Sequence, residues 1–292
     1  MHIKKEEKMK APLLIINPKS GKEEYKRVVC ACLEACSQIN IKKTVKKGDA
    51  EEFAKNSKEG TIIVAGGDGT LNEVINGVLK SKKKVKIGLI PIGTSNIVAR
   101  GFDIPKSTSK ALEIIKNNKT TVLDVGKANN KYFLIGAGIG IDAHMYKNVE
   151  PLVKRFFGEI AYPIALMKTI MTHEPQKLKV SSGKKKVSCY YALICNIGRF
   201  SKVFSVIPNS KHDDGFLDVI IFQNKDIISQ FRYCFGLATQ KHMNFEDVHT
   251  FRAKNIHVGS DEEVIVHCDA ELIGTTPVNI TCEPKAITLI IP

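Results

Sequence analysis

Two short runs of glycine, hydroxyl and polar residues stand out in the chain: Gly66-Gly67-Asp68-Gly69-Thr70 and Pro91-Ile92-Gly93-Thr94-Ser95-Asn96. Each follows an apolar run of strand type and precedes residues at helical spacing. Glycines at such a junction leave backbone N–H groups uncovered and let a ligand come close. The N-terminus of the helix that follows adds further donors and the positive end of a dipole. The chemistry this favours is phosphate binding. Neither run matches the P-loop, which needs Gly-Lys-Ser/Thr, nor the G-x-G-x-x-G dinucleotide fingerprint. A tight strand-to-helix turn without a ligand is the alternative for either run alone. A third run, Asn17-Pro18-Lys19-Ser20-Gly21, follows the first apolar strand. In a parallel sheet all three loops lie on the same C-terminal edge, where ligands bind.

Carboxylates cluster later, in Asp213-Asp214-Gly215 and Asp269-Ala270-Glu271. They offer hard oxygen ligands for magnesium and bases for a hydroxyl. By itself the first is equally a turn sequence, and the second equally an exposed strand face.

The elements that must position these residues follow from periodicity. Leu13 to Ile16, the neighbourhood of Val45, Thr61 to Ala65 and Val85 to Ile90 read as strands. Between them, Tyr25, Val28, Val29, Cys32, Cys36 and Ile39 recur at helical spacing, as do Leu71, Val74, Ile75, Val78 and Leu79. Thr70 and Glu73 fit a capping box. Strand–helix alternation predicts a parallel sheet with helices on both faces. After about residue 120 the texture changes to short strands with frequent turns, over 177–181, 187–197, 216–222, 254–258, 263–268 and 286–291. Helices are expected near 150–172 and 225–239. The expected architecture is α/β: a parallel-sheet nucleotide domain over 1–120, then a β-sandwich-like domain over 121–292.

The 292 residues carry 44 Lys+Arg against 30 Asp+Glu, a formal charge of +14, with ordinary globular composition. The excess favours anionic partners, or is a solvated lysine surface. Lysine predominance over arginine argues against specific nucleic-acid readout, so nucleic acid is not an expected partner. The eight cysteines contain no C-x-x-C pair and are read as reduced core residues of a cytoplasmic protein. No segment has the ~18 uninterrupted apolar residues of a spanning helix. The chain is expected to be soluble, or peripheral at a membrane. Leu152 to Ile170, which mixes Lys154, Arg155 and Lys168 with Phe156, Phe157 and Ile160, reads either as an interfacial helix or as one packed on the second domain.

The order NPKSG, GGDGTLNEVINGV, IPIGTSNIVARGFDIP, LDVGK, FLIGAGIGIDA, DDGFLDVIIF and DAE resembles the diacylglycerol kinase catalytic family, which includes bacterial lipid kinases, sphingosine kinases and ceramide kinases. The likeness covers almost the whole chain. GGDGT alone is shared in outline with NAD kinases and phosphofructokinases; the pairing with PIGTSNIVAR and DDGFLDV is what points to lipid kinases. The resemblance implies magnesium-dependent transfer of the γ-phosphate of ATP to a lipid hydroxyl of diacylglycerol or sphingoid type. It implies ATP contacts from Asn17, Pro18, Lys19, Ser20, Gly21, Thr44, Gly66, Gly67, Asp68, Gly69, Thr70, Leu71, Asn72, Glu73 and Thr94. It implies a structural magnesium site from the Asp214 carboxylate and the carbonyls of Lys211 and Phe216. Asp269 and Glu271 match the family's DGE motif, where the general base is expected, with Asp269 first, Glu271 second on the same strand face, and Asp68 serving metal or loop. The expected partners are a lipid at an anionic membrane surface and, as an option, a second copy in a homodimer. Two departures stand out. Ala270 replaces the motif's glycine, at a cost of roughly 1 kcal/mol if that position has positive φ. Ile97 stands where many relatives carry Asp. A soluble NAD kinase-like enzyme and a non-catalytic nucleotide- or lipid-binding protein are the alternative functions.

Overall fold

The computed structural model describes residues 11–20, 24–36, 38–148, 161–202 and 204–292. The chain divides into two units: one runs to Val122 and regains Ile287–Pro292, the other is Leu123–Ala286.

In the first unit, β1 (Leu13–Ile16), β2 (Asn40–Lys43), β3 (Thr61–Gly66) and β4 (Lys86–Pro91) form a parallel sheet in the order β2-β1-β3-β4. Leu13–Ile16 is buried at every position, as expected of a central parallel strand covered on both faces. Helices α1 (Glu24–Ala35), α2 (Asp49–Asn56), α3 (Asp68–Ser81), α4 (Ile97–Gly101) and α5 (Thr108–Asn117) follow the strands. Val28 and Cys32 of α1 and Leu112 and Ile115 of α5 pack on Leu14, Ile16, Ile63 and Ile90. Each large side chain buried this way contributes about 1.5–3 kcal/mol. Helices α2 and α3 touch at Gly77, where a Cβ would lie 2.2 Å from the Glu51 carbonyl oxygen. The second strand lies earlier than expected, at 40–43, and Val45 is exposed. Its N–H instead donates to Asp49 Oδ2 at 2.7 Å, part of the lead into α2. The end of the chain also differs from expectation. In the long strand β16 (Val278–Ile290), Thr288 pairs with Lys86 of β4, so the last apolar run belongs to the first unit.

The second unit is a sandwich of antiparallel strands. One sheet has the order β12-β11-β10-β7-β14-β15, from Val248–Ala253, Leu217–Phe222, Tyr191–Cys195, Gly136–Ile139, Ile265–Cys268 and Glu271–Thr275. The other is built from β5 (Thr120–Ala128), β6 (Lys131–Phe133), β8 (Leu178–Ser182), β9 (Lys185–Cys189), β13 (Asn255–Ser260) and β16. Phe133, Ile139, Val180, Ile194, Val219, Val258, Val266 and Ile280 fill the space between the sheets. The run 187–197 is two strands, not one: it breaks at Tyr190 because β9 and β10 serve different sheets. Helices α6 (Ile141–Asn148), α7 (Ala161–Thr172) and α8 (Ile227–Ala238) complete the unit. Tyr233 and Leu237 of α8 pack on Tyr191, Ile220 and Phe222, the outer face of the first sheet. Of the helix expected at Leu152–Ile170, residues 152–160 lie outside those described.

Among the described residues no helix is long and apolar enough to cross a membrane. All eight cysteines are free. Burial pushes the thiols of Cys32, Cys189 and Cys195 up to about 12, which keeps them protonated and inert. Cys30 departs from the core reading and is exposed.

Candidate active site

The three loops singled out by composition meet on the C-terminal edge of the parallel sheet. After β1, Asn17 donates through its backbone N–H to Ala65 O at 2.9 Å and through Nδ2 to Thr70 Oγ1 at 3.1 Å. Its Oδ1 accepts the Lys19 N–H at 3.0 Å, and Ser20 N–H returns to Asn17 O at 3.1 Å. Asn17, Pro18, Lys19 and Ser20 thus form a turn stitched to the GGDGT loop; Gly21 lies outside the described residues. Thr44, after β2, donates its N–H to Ile16 O at 3.0 Å and sits at the same edge.

Gly67 is the N-cap of α3 and, as a glycine, brings no capping side chain. The first turn therefore presents N–H groups with no intrahelical acceptor, the standard donor set for an anion. The space a Cβ would occupy at Gly69 is open. At Gly66 a Cβ would lie 2.6 Å from Thr70 Cβ, so the turn closes only with glycine there. A Cβ on Gly93 would lie 2.5 Å from Gly67 Cα, so the second loop meets the first glycine to glycine. Asn96, at φ 46°, holds that second loop by accepting the Gly93 N–H at 3.1 Å and donating to Gly93 O at 2.6 Å. Thr94 is exposed at its tip.

Three residues of the expected nucleotide set, Leu71, Asn72 and Glu73, make contacts within the unit. The capping box does not form: α3 begins at Asp68, before Thr70, and Glu73 Oε2 instead accepts the Ala50 N–H at 3.2 Å, at the start of α2. Leu71 is 1% exposed and is a core residue. Asn72 accepts from Asn76 Nδ2 through both its carbonyl, at 2.9 Å, and its Oδ1, at 3.0 Å. Leu71 and Asn72 are buried, and Glu73 is half-buried.

The Asp68 carboxylate points at the second loop. It accepts the N–H groups of Ile97 at 2.9 Å and Val98 at 3.1 Å, and so caps α4 across the two loops. Burial raises its carboxyl above the usual range; the two amide bonds and Arg100 oppose that shift without cancelling it. With Ile97 supplying an amide here, Asp68 acts as a link between loops. It is not placed as a free base.

In the second unit, Asp269 and Ala270 are the two-residue turn between β14 and β15, with Cys268 opposite Glu271. Their φ values are 47° and 66°, the left-handed pair that a two-residue hairpin demands. The Asp269 carboxylate accepts three backbone N–H groups, from Leu134 at 2.8 Å, Ile135 at 2.9 Å and Gly136 at 3.0 Å. Both its oxygens thereby clamp the segment before β7. Glu271 does not share a strand face with it, because Asp269 is in the turn. Glu271 opens β15 and is half-buried.

Of the expected magnesium positions Lys211, Asp214 and Phe216, the Asp214 side chain has partners within the unit. Asp214 Oδ2 is bound by the Arg252 guanidinium, and its Oδ1 accepts the Phe216 N–H at 3.2 Å. Arg252 also approaches Asp218 at 3.4 Å and lies over the Phe216 ring. Lys211 is exposed. Among the described residues no group of three His, Cys, Asp or Glu side chains is arranged for a metal.

Two polar centres went unassigned in the sequence. Asp124 is fully buried and accepts Gly215 N–H at 2.5 Å and Lys285 N–H at 2.6 Å, holding together the turn that carries Asp214. The LDVGK segment contained it, but nothing in its spacing announced a hub. Asp142 Oδ2 pairs with His267 Nε2 at 2.8 Å directly over Gly138. The alternating glycines of FLIGAGIGIDA were the available signal.

The model of the diacylglycerol kinase catalytic domain matches residues 11–128, and that of the YegS C-terminal NAD kinase beta sandwich-like domain matches 136–291. A diacylglycerol kinase of Staphylococcus carnosus is 31% identical over 277 residues, covering 91% of this chain and 90% of the relative. One of Bacillus subtilis is 28% identical over 282 residues, covering 92% of each. The crystal structure of a diacylglycerol kinase from Bacillus anthracis superimposes with a TM-score of 0.80 at 29% identity, covering 98% of each chain. The parallel sheet with its phosphate-type loops and the antiparallel sandwich correspond to these two matched domains. The chain belongs to the diacylglycerol kinase family.

Proposed function

We propose that the protein transfers the γ-phosphate of ATP, taken up as its magnesium complex, to the hydroxyl of a diacylglycerol-type lipid. One observation carries the nucleotide half: a helix N-terminus with glycine at its N-cap, at Gly67–Gly69, flanked by the Asn17–Ser20 and Gly93–Asn96 loops on one sheet edge. There the backbone N–H groups would take the phosphate oxygens. Lys19 and Thr94 would close over them, while Thr44, Gly66 and Thr70 shape the floor. Leu71, Asn72 and Glu73 would support this loop from within the unit. Catalysis of this kind rests on positioning and charge neutralisation.

For the acceptor half, Glu271 is the better base. It would take the proton of the lipid hydroxyl as that oxygen bonds to the γ-phosphorus and ADP leaves. Asp269, with both oxygens engaged, would be a positioning residue that fixes the hairpin bearing Glu271. The test is incubation of the purified protein with labelled ATP and a total lipid extract: a labelled phospholipid supports the reading, and label confined to nucleotide or water overturns it.

A further inference from the structure

Helix α8 is amphipathic the wrong way round for a helix facing water. Its sheet-facing side buries Ser229, Gln230, Tyr233 and Gly236, whereas Ile227, Ile228, Phe231 and Phe235 are 50%, 77%, 40% and 65% exposed. At 3.6 residues per turn those four fall within an arc of about 100°. The inward side makes polar contacts: Gln230 Nε2 donates to Lys225 O at 2.7 Å, and the Tyr233 hydroxyl donates to Asp247. The outward apolar stripe is therefore no by-product of core packing. Helix α7, which packs against α8, adds Met167 and Met171, one turn apart and 54% and 71% exposed. Lys225, just before α8, reaches Glu174, just after α7, at 3.5 Å, so these apolar ends are neighbours.

We propose that this α7–α8 face is the surface by which the protein docks on an anionic lipid bilayer, inserting Ile228, Phe231 and Phe235 among the acyl chains. The inference deepens the lipid kinase reading and rests on it for the reason a bilayer is the partner: the acceptor lipid resides there. Charge agrees with that occupant. Three nearby carboxylates are engaged within the protein: Asp226 caps α8 through Ser229 N–H at 2.9 Å, Asp247 binds Arg232, and Glu174 binds Lys225; Glu246 is exposed. Lys168 and Lys241 stay exposed beside the stripe, available to lipid phosphates. Size argues against a second copy. A 12-residue helix is about 18 Å long, and a stripe roughly 10 Å wide covers roughly 200 Å². Even doubled by the α7 methionines, that is about half of the ~800 Å² per partner of a stable dimer. A ridge of this size suits interfacial insertion by ~5–10 Å.

The chain contains no tryptophan, so a single Phe235→Trp substitution reports with no background. Its emission is to be followed without substrate or ATP, against vesicles of phosphatidylcholine alone and of phosphatidylcholine with about one-third phosphatidylglycerol. The expected result is a blue shift with the anionic vesicles and quenching by acyl chains brominated near the headgroup. The double variant Phe231→Ser/Phe235→Ser should unfold at the wild-type temperature and lose at least tenfold in vesicle affinity. Its turnover of a short-chain, water-dispersed diacylglycerol should be unchanged. An unshifted emission while the protein sediments with vesicles overturns the proposal, as does wild-type vesicle binding by the double variant. A blue shift that needs only higher protein concentration assigns the face to a second copy and also overturns it. Vesicle binding that depends on this face, in a protein that phosphorylates no lipid, leaves the docking proposal standing and sinks the kinase reading instead.

Discussion

Removing the Asp269 side chain separates two accounts of the hairpin. Asp269→Ala strips the acceptor from the N–H groups of Leu134, Ile135 and Gly136. Leu134 and Ile135 are 1% and 9% exposed, so water cannot restore all three bonds. Counting two lost bonds to a charged acceptor at about 1.5 kcal/mol each, plus about 1 kcal/mol for alanine at a left-handed φ, gives about 4 kcal/mol. For a chain of this size that lowers the thermal midpoint by roughly 8–16 °C. Asp269→Asn keeps one acceptor oxygen and tolerates the left-handed region, so about 1–2 kcal/mol is expected. Its kcat should fall by no more than about tenfold, whereas Glu271→Gln should lose about 10²–10⁴-fold. The assay is thermal unfolding beside steady-state turnover. If Asp269→Ala unfolds within 2 °C of wild type (about 0.5 kcal/mol) while Asp269→Asn alone abolishes turnover, Asp269 is the base and the clamp argument fails.

Ala270→Gly relieves a residue held at φ 66° and should stabilise the protein by about 1 kcal/mol; a lowered midpoint would contradict this. Gly93→Val places a side chain against Gly67 Cα, at 2.5 Å for the Cβ alone, and should weaken ATP binding more than about tenfold, a loss near 1.4 kcal/mol. An unchanged Kd in a folded variant would remove the loop contact from the site. Asp68 makes stability depend on pH. Its carboxyl is raised above the usual 3.8 by burial, so the folded state holds the proton more tightly than the unfolded one. That contribution is complete below 3.8 and is lost as pH rises through the folded-state value. The stability of wild type relative to Asp68→Asn should therefore fall as pH rises from that point, and a flat or rising difference in a midpoint–pH series is the contrary result.

Much of this was legible because local and global signals agree. The apolar runs Leu13–Ile16 and Thr61–Ala65, each followed by glycine or Asn-Pro, announce strands feeding loops on one edge. The sandwich was readable from short strands and turns, although β12 was missed: His249, Thr250 and Arg252 are exposed and dilute its apolar character. What escaped depends on pairing across long separations. Asp269 looks like a strand carboxylate until its partners, 133 to 135 residues away, are known. The pairing of Asp214 with Arg252, 38 residues on, is likewise invisible in the spacing. Glu73 fits a local capping box, yet tertiary packing turns it to the start of α2. The terminal ITLII run carries no mark of which unit will take it.

The central claim is tested most directly by offering the purified protein γ-labelled ATP with magnesium and, in parallel, diacylglycerol in mixed micelles or NAD, with Glu271→Gln as control. Label should appear in phosphatidic acid with the wild type, fall by about 10²–10⁴-fold in the variant, and be absent from NADP. Label in NADP, or no transfer to any lipid hydroxyl by a folded protein that binds ATP, would contradict it.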